Sequence, residues 1–251
     1  MEINIATATD WFRHWFDTTF YHQLYAKRDE KEAAGFIDRL LAELNPAPGS
    51  RILDLGCGKG RHSKRLAGSH YDVTGLDLAA SSIAEAKKWE SHRLRFKVHD
   101  MRLSFGCNRF DFVFNLFTSF GYFQTAEEDQ CVLRNITAAL RPGGQLVLDY
   151  INTRTAEEKL IPFETREIDG VIYRIQRWTD EKHFFKAIVV EHMQGREPFV
   201  FTEQVRKFNL PDFETMFEQQ GLVIEQVYGN YNLDAYESIT SPRMILLAKK
   251  Q

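Results

Sequence analysis

The sequence predicts a single α/β domain built on a mostly parallel sheet with crossover helices. From Arg51 onward, short apolar runs alternate with amphipathic segments of helix length, which is the pattern of parallel strands joined by helices. A glycine-rich turn directly follows the first apolar run. With 251 residues the chain is long enough to bury a substantial core in one domain.

Composition narrows the functional classes. The chain is 43% hydrophobic and 27% charged, and its formal net charge is -3. This balance is typical of a globular protein without an overall basic field, so we do not expect nucleic acid as a partner. The three cysteines show no C-x-x-C spacing, and we expect no metal. No signal peptide or run of about 18 apolar residues is present, so we expect a cytoplasmic protein without a membrane partner.

Two helices are predicted ahead of the sheet. Trp11, Trp15, Phe16 and Phe20 are spaced for one face of a helix over residues 10–25, which Asp10 is positioned to cap. A second helix over residues 31–44 ends before two prolines. We expect residues 1–50 to form a helical lid.

The sheet strands are predicted from the apolar runs that follow. Val132, Ile136 and Leu140 recur at helical spacing before the last of these strands, and the turn at Pro142-Gly-Gly144 ends that helix. The predicted strands cover residues 51–55, 72–76, 94–98, 110–115 and 145–150, followed near the end of the chain by a helix over 211–220 and strands over 222–228 and 242–248.

A different pattern follows the fifth strand. Val171, Tyr173 and Ile175 alternate with polar residues, which predicts antiparallel strands. Turns are expected near Asp169-Gly170, Thr179-Asp180 and Gln194-Gly195.

The expected organisation is one domain over 1–251, with the lid at 1–50, a cofactor-binding core at 51–152, an antiparallel β insertion at 153–205 and a last helix and strand pair at 206–251. The insertion is expected to cap the substrate pocket or to form a homodimer surface, and a purely structural decoration is the alternative.

The segment Asp54-Leu-Gly56-Cys-Gly58-Lys-Gly60 carries the chemistry. Three glycines on alternate positions let the chain turn sharply after a strand, and they let a ligand lie against the backbone and the first amides of the next helix. Dinucleotide-binding turns have the pattern G-x-G-x-x-G, but the position of the third glycine is Arg61 here. This disfavours a dehydrogenase and leaves another cofactor, or a structural turn without a ligand.

This segment resembles motif I of the class I S-adenosylmethionine-dependent methyltransferases, in particular the small-molecule group of types 11 and 25. Four further elements follow in the family's order: Asp77 at the end of the second strand, Asp100-Met101 after the third, residues 115–122 after the fourth, and Arg141-Pro-Gly-Gly144 before the fifth. The resemblance covers residues 51–150 and the last two strands. It implies a Rossmann-like methyltransferase fold, with a seven-stranded mostly parallel sheet, a reversed last strand and helices on both faces.

The resemblance also implies the cofactor and its ligands. S-adenosyl-L-methionine would be the methyl donor and S-adenosyl-L-homocysteine the product. Asp77 would accept the ribose hydroxyls, and Asp100 would bind the adenine amine while Met101 covers the ring; a helix cap is the alternative role for Asp100. The expected cofactor-binding residues are Asp54, Gly56, Cys57, Gly58, Gly60, Asp77, Leu78, Asp100, Met101, Asn115 and Tyr21.

Methyl transfer from a sulfonium is an in-line displacement, so the protein mainly has to hold the nucleophile near the methyl carbon and exclude water. We expect a small-molecule acceptor that attacks through nitrogen or oxygen, since the segment after the fourth strand lacks the Asn-Pro-Pro run used for flipped bases. The candidate catalytic residues are Tyr122, Tyr25 and His62, each with a structural role as the alternative. The alternative functions are a catalytically silent S-adenosylmethionine-binding module and transfer of another group from a related sulfonium.

Overall fold

A computed structural model of the chain describes residues 10–26, 30–192 and 197–251. The turn predicted at Gln194-Gly195 lies outside these residues. The helices are α1 (Trp11–Trp15), α2 (Thr19–Leu24), α3 (Glu30–Leu44), α4 (Arg61–Gly68), α5 (Ala80–Ala86), α6 (Ala126–Ala139), α7 (Thr153–Glu158) and α8 (Leu210–Glu218). The strands are β1 (Arg51–Leu55), β2 (Asp72–Asp77), β3 (Leu94–Val98), β4 (Phe110–Asn115), β5 (Leu140–Ile151), β6 (Phe163–Ile168), β7 (Val171–Thr179), β8 (His183–Glu191), β9 (Phe199–Arg206), β10 (Leu222–Tyr228) and β11 (Arg243–Lys250).

Seven strands form the central sheet in the order β10-β11-β5-β4-β1-β2-β3. The chain pairs β1 with β2 and β4, β2 with β3, and β4 with β5 in parallel, whereas β11 is antiparallel to both of its neighbours. The predicted fold, including the reversed last strand, is confirmed. In the β1/β2 register Leu55 lies opposite Leu76, so the glycine turn after β1 and Asp77 at the end of β2 reach the same edge of the sheet.

Helices cover both faces of this sheet, as predicted. On one face, α3, α4 and α5 contribute Ile37, Leu66 and Ile83 to a buried layer with Phe114 of β4. On the other face, α6 and α8 pack their apolar sides against the alternate residues of the same strands, including Ile136, Phe213, Leu53, Val113 and Leu146. Because a strand alternates its side chains between faces, each central strand supplies both layers.

The strand predictions are accurate where the apolar runs are short. The bounds of β1, β3, β4 and β10 are those predicted, and those of β2 and β11 differ by one or two residues at an end. The predicted boundary between α6 and β5 is wrong. Leu140 was expected in the helix, but α6 ends at Ala139 and Leu140 begins β5 with extended backbone. The cause is Pro142, since the residue before a proline disfavours helical backbone and the helix therefore ends ahead of Arg141.

The single helix expected over residues 10–25 is also wrong. The structure has two short helices, and Asp10 adopts left-handed backbone (φ 63°) without capping α1. Thr18 interrupts the helix because its hydroxyl accepts a hydrogen bond from the Tyr21 N–H at 3.1 Å and donates one to the Trp15 carbonyl at 2.9 Å. Threonine side chains often replace helical backbone bonds in this way and begin a new helix as its N-cap.

The predicted antiparallel insertion follows β5 and forms a second sheet in the order β6-β7-β8-β9. Asp169 and Gly170 both have positive φ and join β6 to β7, which is the two-residue hairpin turn expected there. One correction concerns its start, where residues 153–158 form the helix α7 instead of strand. The face of this sheet that carries Phe201 packs on α1, with the rings of Phe201 and Trp15 4.5 Å apart.

Within the described residues, no helix combines the length and apolar character needed to cross a membrane.

The position of Gly60 predicts a stability effect. Gly60 is the N-cap of α4, with φ +80°, and a Cβ there would lie 2.6 Å from Cζ of Phe96. Gly60→Ala is expected to lower the free energy of unfolding by about 2 to 5 kcal/mol, because left-handed backbone and a packing clash both add to the cost. Urea unfolding followed by circular dichroism measures this loss.

Gly49→Ala is the matched control. Gly49 also has positive φ (+78°), but a Cβ at this position would meet nothing within 4 Å. Its expected loss is only the backbone cost of about 1 to 2 kcal/mol. Equal losses in the two variants would contradict the proposed clash with Phe96.

Candidate active site

A cavity of about 710 Å³ lies at the carboxyl edge of the central sheet. Its wall consists of the turn after β1, the end of β2, the loops after β3 and β4, the helices α1 and α2, and the inner face of β9. The volume is in the range of small-molecule pockets. The position is the one where open α/β sheets bind ligands, at the carboxyl ends of the strands.

The glycine turn forms one side of this cavity. Gly56 and Gly58 both have positive φ, and the N–H groups of Gly56 and Cys57 donate to the Leu76 carbonyl at 2.8 and 3.0 Å. A Cβ on Gly56 would lie 2.7 Å from Ser119, whereas a Cβ on Gly58 would meet nothing within 4 Å. Gly56 is therefore required for close packing in the turn, and Gly58 leaves its backbone open to a ligand.

Asp77 connects this turn to the start of α5. Its two carboxylate oxygens accept hydrogen bonds from the Gly58 N–H at 2.7 Å and the Ala79 N–H at 2.8 Å. Burial raises the pKa of Asp77, and these backbone donors oppose that shift because they favour the charged form. Asp77 and the neighbouring Leu78 both line the cavity.

Asp100 lines the cavity beside Met101 but is already engaged by two arginines. Arg13 of α1 contacts Oδ2 at 2.5 Å, and Arg102 contacts Oδ2 at 2.8 Å and Oδ1 at 3.1 Å. Burial raises the pKa of Asp100, and the hydrogen bonds and charge of Arg102 outweigh that effect, so the net shift is downward. No helix begins after Asp100, so the alternative role as a helix cap is wrong.

Three residues expected to bind the cofactor lie behind the cavity wall. Asp54 is buried and accepts a hydrogen bond from the Ser63 hydroxyl at 2.5 Å, and Gly60 packs under Phe96. Asn115 is fully buried and donates from Nδ2 to the Leu55 carbonyl at 2.9 Å. None of the three lines the cavity, because the strands bury these side chains below the turn, and their contact with the cofactor stays a prediction.

The three candidate catalytic residues line the cavity. The Tyr122 hydroxyl donates to the carbonyl of Thr118, and the Tyr25 hydroxyl donates to Oε1 of Glu203 at 2.9 Å. Nε2 of His62 lies 3.3 Å from the guanidinium of Arg61. Each of these side chains therefore makes protein contacts at the cavity wall, and their catalytic roles stay predictions.

The loop after β4 has backbone strain at the cavity. Phe117 and Thr118 are consecutive non-glycine residues with positive φ, 71° and 63°. Asp149 holds them: its Oδ2 accepts the Phe117 N–H at 2.8 Å, and its Oδ1 pairs with Arg243 at 2.7 Å. Arg243 in turn donates to the Thr118 hydroxyl at 2.9 Å. Sequence reasoning missed this support because its partners are distant in the chain.

Aromatic side chains form a continuous wall of the cavity. The Trp11 and Tyr122 ring centroids are 5.5 Å apart, and those of Phe16 and Tyr122 are 5.4 Å apart. Tyr21, an expected cofactor-binding residue, lies next in this series, 4.9 Å from both Phe16 and Tyr25. Such edge-to-face and tilted contacts add to the stability of the wall and exclude water from the cavity.

Glu203 is the cavity residue that sequence reasoning missed. It lies on β9, and its Oε1 accepts from Trp15 Nε1 at 2.7 Å as well as from Tyr25. Lys186 of the adjacent strand β8 lies 3.3 Å from Oε2. Strand alternation could have placed Glu203 on the same inward face as Phe201 and Val205, but nothing in the sequence indicates which face of the insertion meets α1 and α2.

Comparisons with known proteins agree with this geometry. Residues 52–144 match a family described as a methyltransferase domain. Over this segment the chain is similar to methyltransferase domains, and its fold is that of an S-adenosylmethionine-dependent methyltransferase.

The individual relatives are distant in sequence. The Bacillus subtilis (strain 168) protein YqeM is 28% identical over 209 residues, which cover 80% of this chain and 84% of YqeM. The dTDP-3-amino-3,4,6-trideoxy-alpha-D-glucopyranose N,N-dimethyltransferase of Streptomyces venezuelae is 23% identical over 188 residues, 72% of this chain and 78% of that enzyme. A crystal structure of a S-adenosylmethionine-dependent methyltransferase from Clostridium acetobutylicum has the same fold, with a TM-score of 0.76, 20% identity and coverage of 95% of this chain and 97% of that one.

The lining of the cavity suits S-adenosylmethionine. Gly58 leaves open space where a side chain would otherwise fill the turn, and Asp77 supplies a carboxylate beside it. Among the described residues, no group of three or more His, Cys, Asp or Glu side chains has the arrangement of a metal site.

The position of Asp77 at the cavity predicts that its carboxylate contributes to cofactor affinity. Asp77→Ala is expected to weaken S-adenosylhomocysteine binding by about 1 to 3 kcal/mol, because a buried hydrogen-bonding carboxylate is lost. Isothermal titration calorimetry measures this change. The control is Asp111→Ala, which removes a carboxylate that accepts the Arg51 N–H and pairs with Arg141 outside the cavity. Unchanged affinity in Asp77→Ala, or an equal loss in both variants, would remove Asp77 from the cofactor site.

Asp54 predicts a dependence of stability on pH. Burial raises the pKa of Asp54 to about 6, and the Ser63 hydrogen bond opposes only part of the shift. A pKa above that of the unfolded chain means that the protonated side chain favours folding below about pH 4 and that this contribution is lost as the pH rises through 6. The free energy of unfolding of Asp54→Asn, measured relative to that of the unmodified protein, should therefore increase by about 2 kcal/mol as the pH rises from 4.5 to 7.5.

Urea unfolding of both proteins at the two pH values tests this. Asp72→Asn, at an exposed position at the start of β2, serves as the control for the replacement of an aspartate by asparagine. A constant difference between Asp54→Asn and the unmodified protein at both pH values would mean that Asp54 does not titrate in this range.

Proposed function

We propose that this methyltransferase transfers a methyl group to a nitrogen or oxygen atom of a small molecule, bound against the aromatic wall of the cavity. The observation that carries this proposal is the enclosure of the cavity: α1 and α2 cover one side, and Glu203 and Val205 of the insertion close another. A cavity of about 710 Å³ has room for a cofactor and a small acceptor together. In this proposal the insertion caps the substrate pocket, which is one of the two functional roles expected for it from the sequence.

The relative from Streptomyces venezuelae supports this class of acceptor. Its name describes dimethylation of the amino group of a nucleotide-linked sugar, and 78% of its length aligns with this chain. The likeness extends across the cofactor-binding core and beyond it, because the match covers 72% of this chain. An acceptor of similar size and polarity is therefore our first candidate.

The bound cofactor supplies an electrophilic methyl group on a sulfonium. The acceptor lone pair forms the new bond to the methyl carbon as the carbon-sulfur bond breaks, and the electron pair of that bond stays on sulfur. The chain contributes by holding the acceptor in line and by excluding water with Trp11, Phe16 and Tyr122. Tyr25, Tyr122 and His62 are the proposed residues that orient the acceptor. An oxygen acceptor of high pKa needs a base for its proton, whereas a neutral amine can release a proton to water after transfer.

Turnover against a defined acceptor library tests the proposal. The purified protein is incubated with S-adenosylmethionine and a library of small amines and alcohols, and S-adenosylhomocysteine is quantified by mass spectrometry. We expect product with a subset of the library, and about a hundredfold lower rates in Tyr122→Ala, since a 1 Å misplacement of reactants can cost this much. Cofactor binding without turnover against any acceptor would favour the catalytically silent module instead. A preference for decarboxylated S-adenosylmethionine would favour transfer of another group.

We also propose a homodimer surface on the insertion. Among the described residues, large exposed apolar side chains stand at both edges of its sheet, Ile161 and Phe163 at the β6 edge and Phe199 and Val200 on β9, and exposed apolar side chains are common at protein contacts. Light scattering of the full chain, which reports its mass in solution, measures the oligomeric state, and a monomer at micromolar concentration would exclude this surface.

A further inference from the structure

We propose that Glu203 of the insertion binds the acceptor directly and selects an amine over an alcohol. This inference rests on the proposed small-molecule function and names the chemistry of its acceptor site. Among the described residues, three carboxylates line the cavity: Asp77, Asp100 and Glu203. Asp77 is held by the glycine turn and Asp100 by two arginines. Glu203 is the carboxylate that the aromatic side chains of Trp15 and Tyr25 hold.

The geometry of Glu203 leaves capacity for a further hydrogen bond. Trp15 Nε1 and the Tyr25 hydroxyl donate to Oε1 at 2.7 and 2.9 Å, and Lys186 Nζ lies 3.3 Å from Oε2. A carboxylate has about four acceptor positions, so these three donors do not use them all. Because Trp15 and Tyr25 fix Oε1 from two sides, the carboxylate is held in one orientation at the cavity surface.

Lys186 makes this buried carboxylate possible. Only 16% of each side chain in the Lys186–Glu203 pair is exposed, and an unpaired charge at such a depth would be costly. Lys186 Nζ also donates to the Tyr25 hydroxyl and lies 4.7 Å from the centre of its ring. Lys186 does not line the cavity itself, so the acceptor meets the carboxylate and the phenol and not the ammonium.

The charge that develops during transfer explains the preference for an amine. As the nitrogen-carbon bond forms, the nitrogen of a neutral amine gains positive charge and keeps its protons until one leaves to water. Glu203 can accept one of these N–H groups, and the aromatic rings of Tyr21 and Tyr25, a type of side chain that attracts cations, line the same cavity. A carboxylate and aromatic faces stabilise a forming ammonium more than a neutral ether product.

The test compares amines with alcohols of the same carbon skeleton. Glu203→Gln keeps the shape of the side chain and can still accept hydrogen bonds from Trp15 and Tyr25, but it loses the charge. We expect the unmodified protein to turn over amines in preference to the matched alcohols. In Glu203→Gln the KM for the amines should rise about tenfold or more, because a charge-assisted hydrogen bond is lost. The Kd of S-adenosylhomocysteine should stay within about twofold, since the contacts that hold Glu203 come from Trp15, Tyr25 and Lys186 and none of these residues belongs to the glycine turn.

Glu191→Gln is the matched control. Glu191 lies on the neighbouring strand β8, pairs with Arg174 and does not line the cavity. It should leave both the amine KM and the cofactor affinity unchanged. Three results would overturn the inference: an unchanged amine KM in Glu203→Gln, an equal preference for alcohols in the unmodified protein, or a parallel loss of cofactor affinity, which would mark Glu203 as purely structural.

A binding measurement separates this inference from the proposed function. The same amines are titrated into the protein loaded with S-adenosylhomocysteine, without any turnover, and calorimetry reports their Kd. Amine binding that weakens tenfold in Glu203→Gln while no acceptor is methylated would contradict the proposed function and support this inference. Turnover of alcohols alone, unaffected by Glu203→Gln, would support the proposed function and overturn this inference. Absence of both turnover and amine binding would overturn both.

Discussion

A mostly parallel sheet has to be covered on both faces. Because helices cover both faces in this protein, the carboxyl edge of the sheet is the part that stays open to a ligand. The helices α3, α4 and α5 bury one face, and α6 and α8 bury the other. The turns that leave β1 and β2 meet at the open edge, where the carboxylate of Asp77 accepts backbone N–H groups from both Gly58 and Ala79. This hydrogen-bonded junction shapes the cofactor side of the cavity.

The side of the cavity that α1, α2 and β9 form depends on the packing between the insertion and the N-terminal helices. The fold adds a second sheet after β5, and that sheet packs on the two short N-terminal helices through large aromatic side chains such as Trp15 and Phe201. Polar groups buried at this interface have to be paired, which explains the cluster of Glu203, Lys186 and Tyr25. The proposed acceptor compartment thus results from how the insertion and the helices cover each other, and we expect variation there to change the acceptor without changing the cofactor.

The sequence-based predictions were accurate for the strands of the central sheet and less accurate for the N-terminal helices. The strands that border the glycine turn were predicted to within a residue or two, because short buried runs between turn signals have few alternatives. The N-terminal helix was predicted as one element, although Thr18 divides it through local hydrogen bonds that compete with the helix. Asp54 and Asn115 were expected at the cofactor, but the motif does not reveal whether a strand-end side chain points into the cavity or into the layer beneath it.

The sequence by itself determined the fold class and the cofactor. The residues that indicate them lie in short motifs at successive strand ends, and parallel pairing brings those ends to one edge without further information. Only the tertiary structure decided the composition of the acceptor side. Tyr25 and Glu203 are 178 positions apart and meet because the insertion folds back on α1 and α2, a packing of aromatic surfaces that has no local signature in the chain.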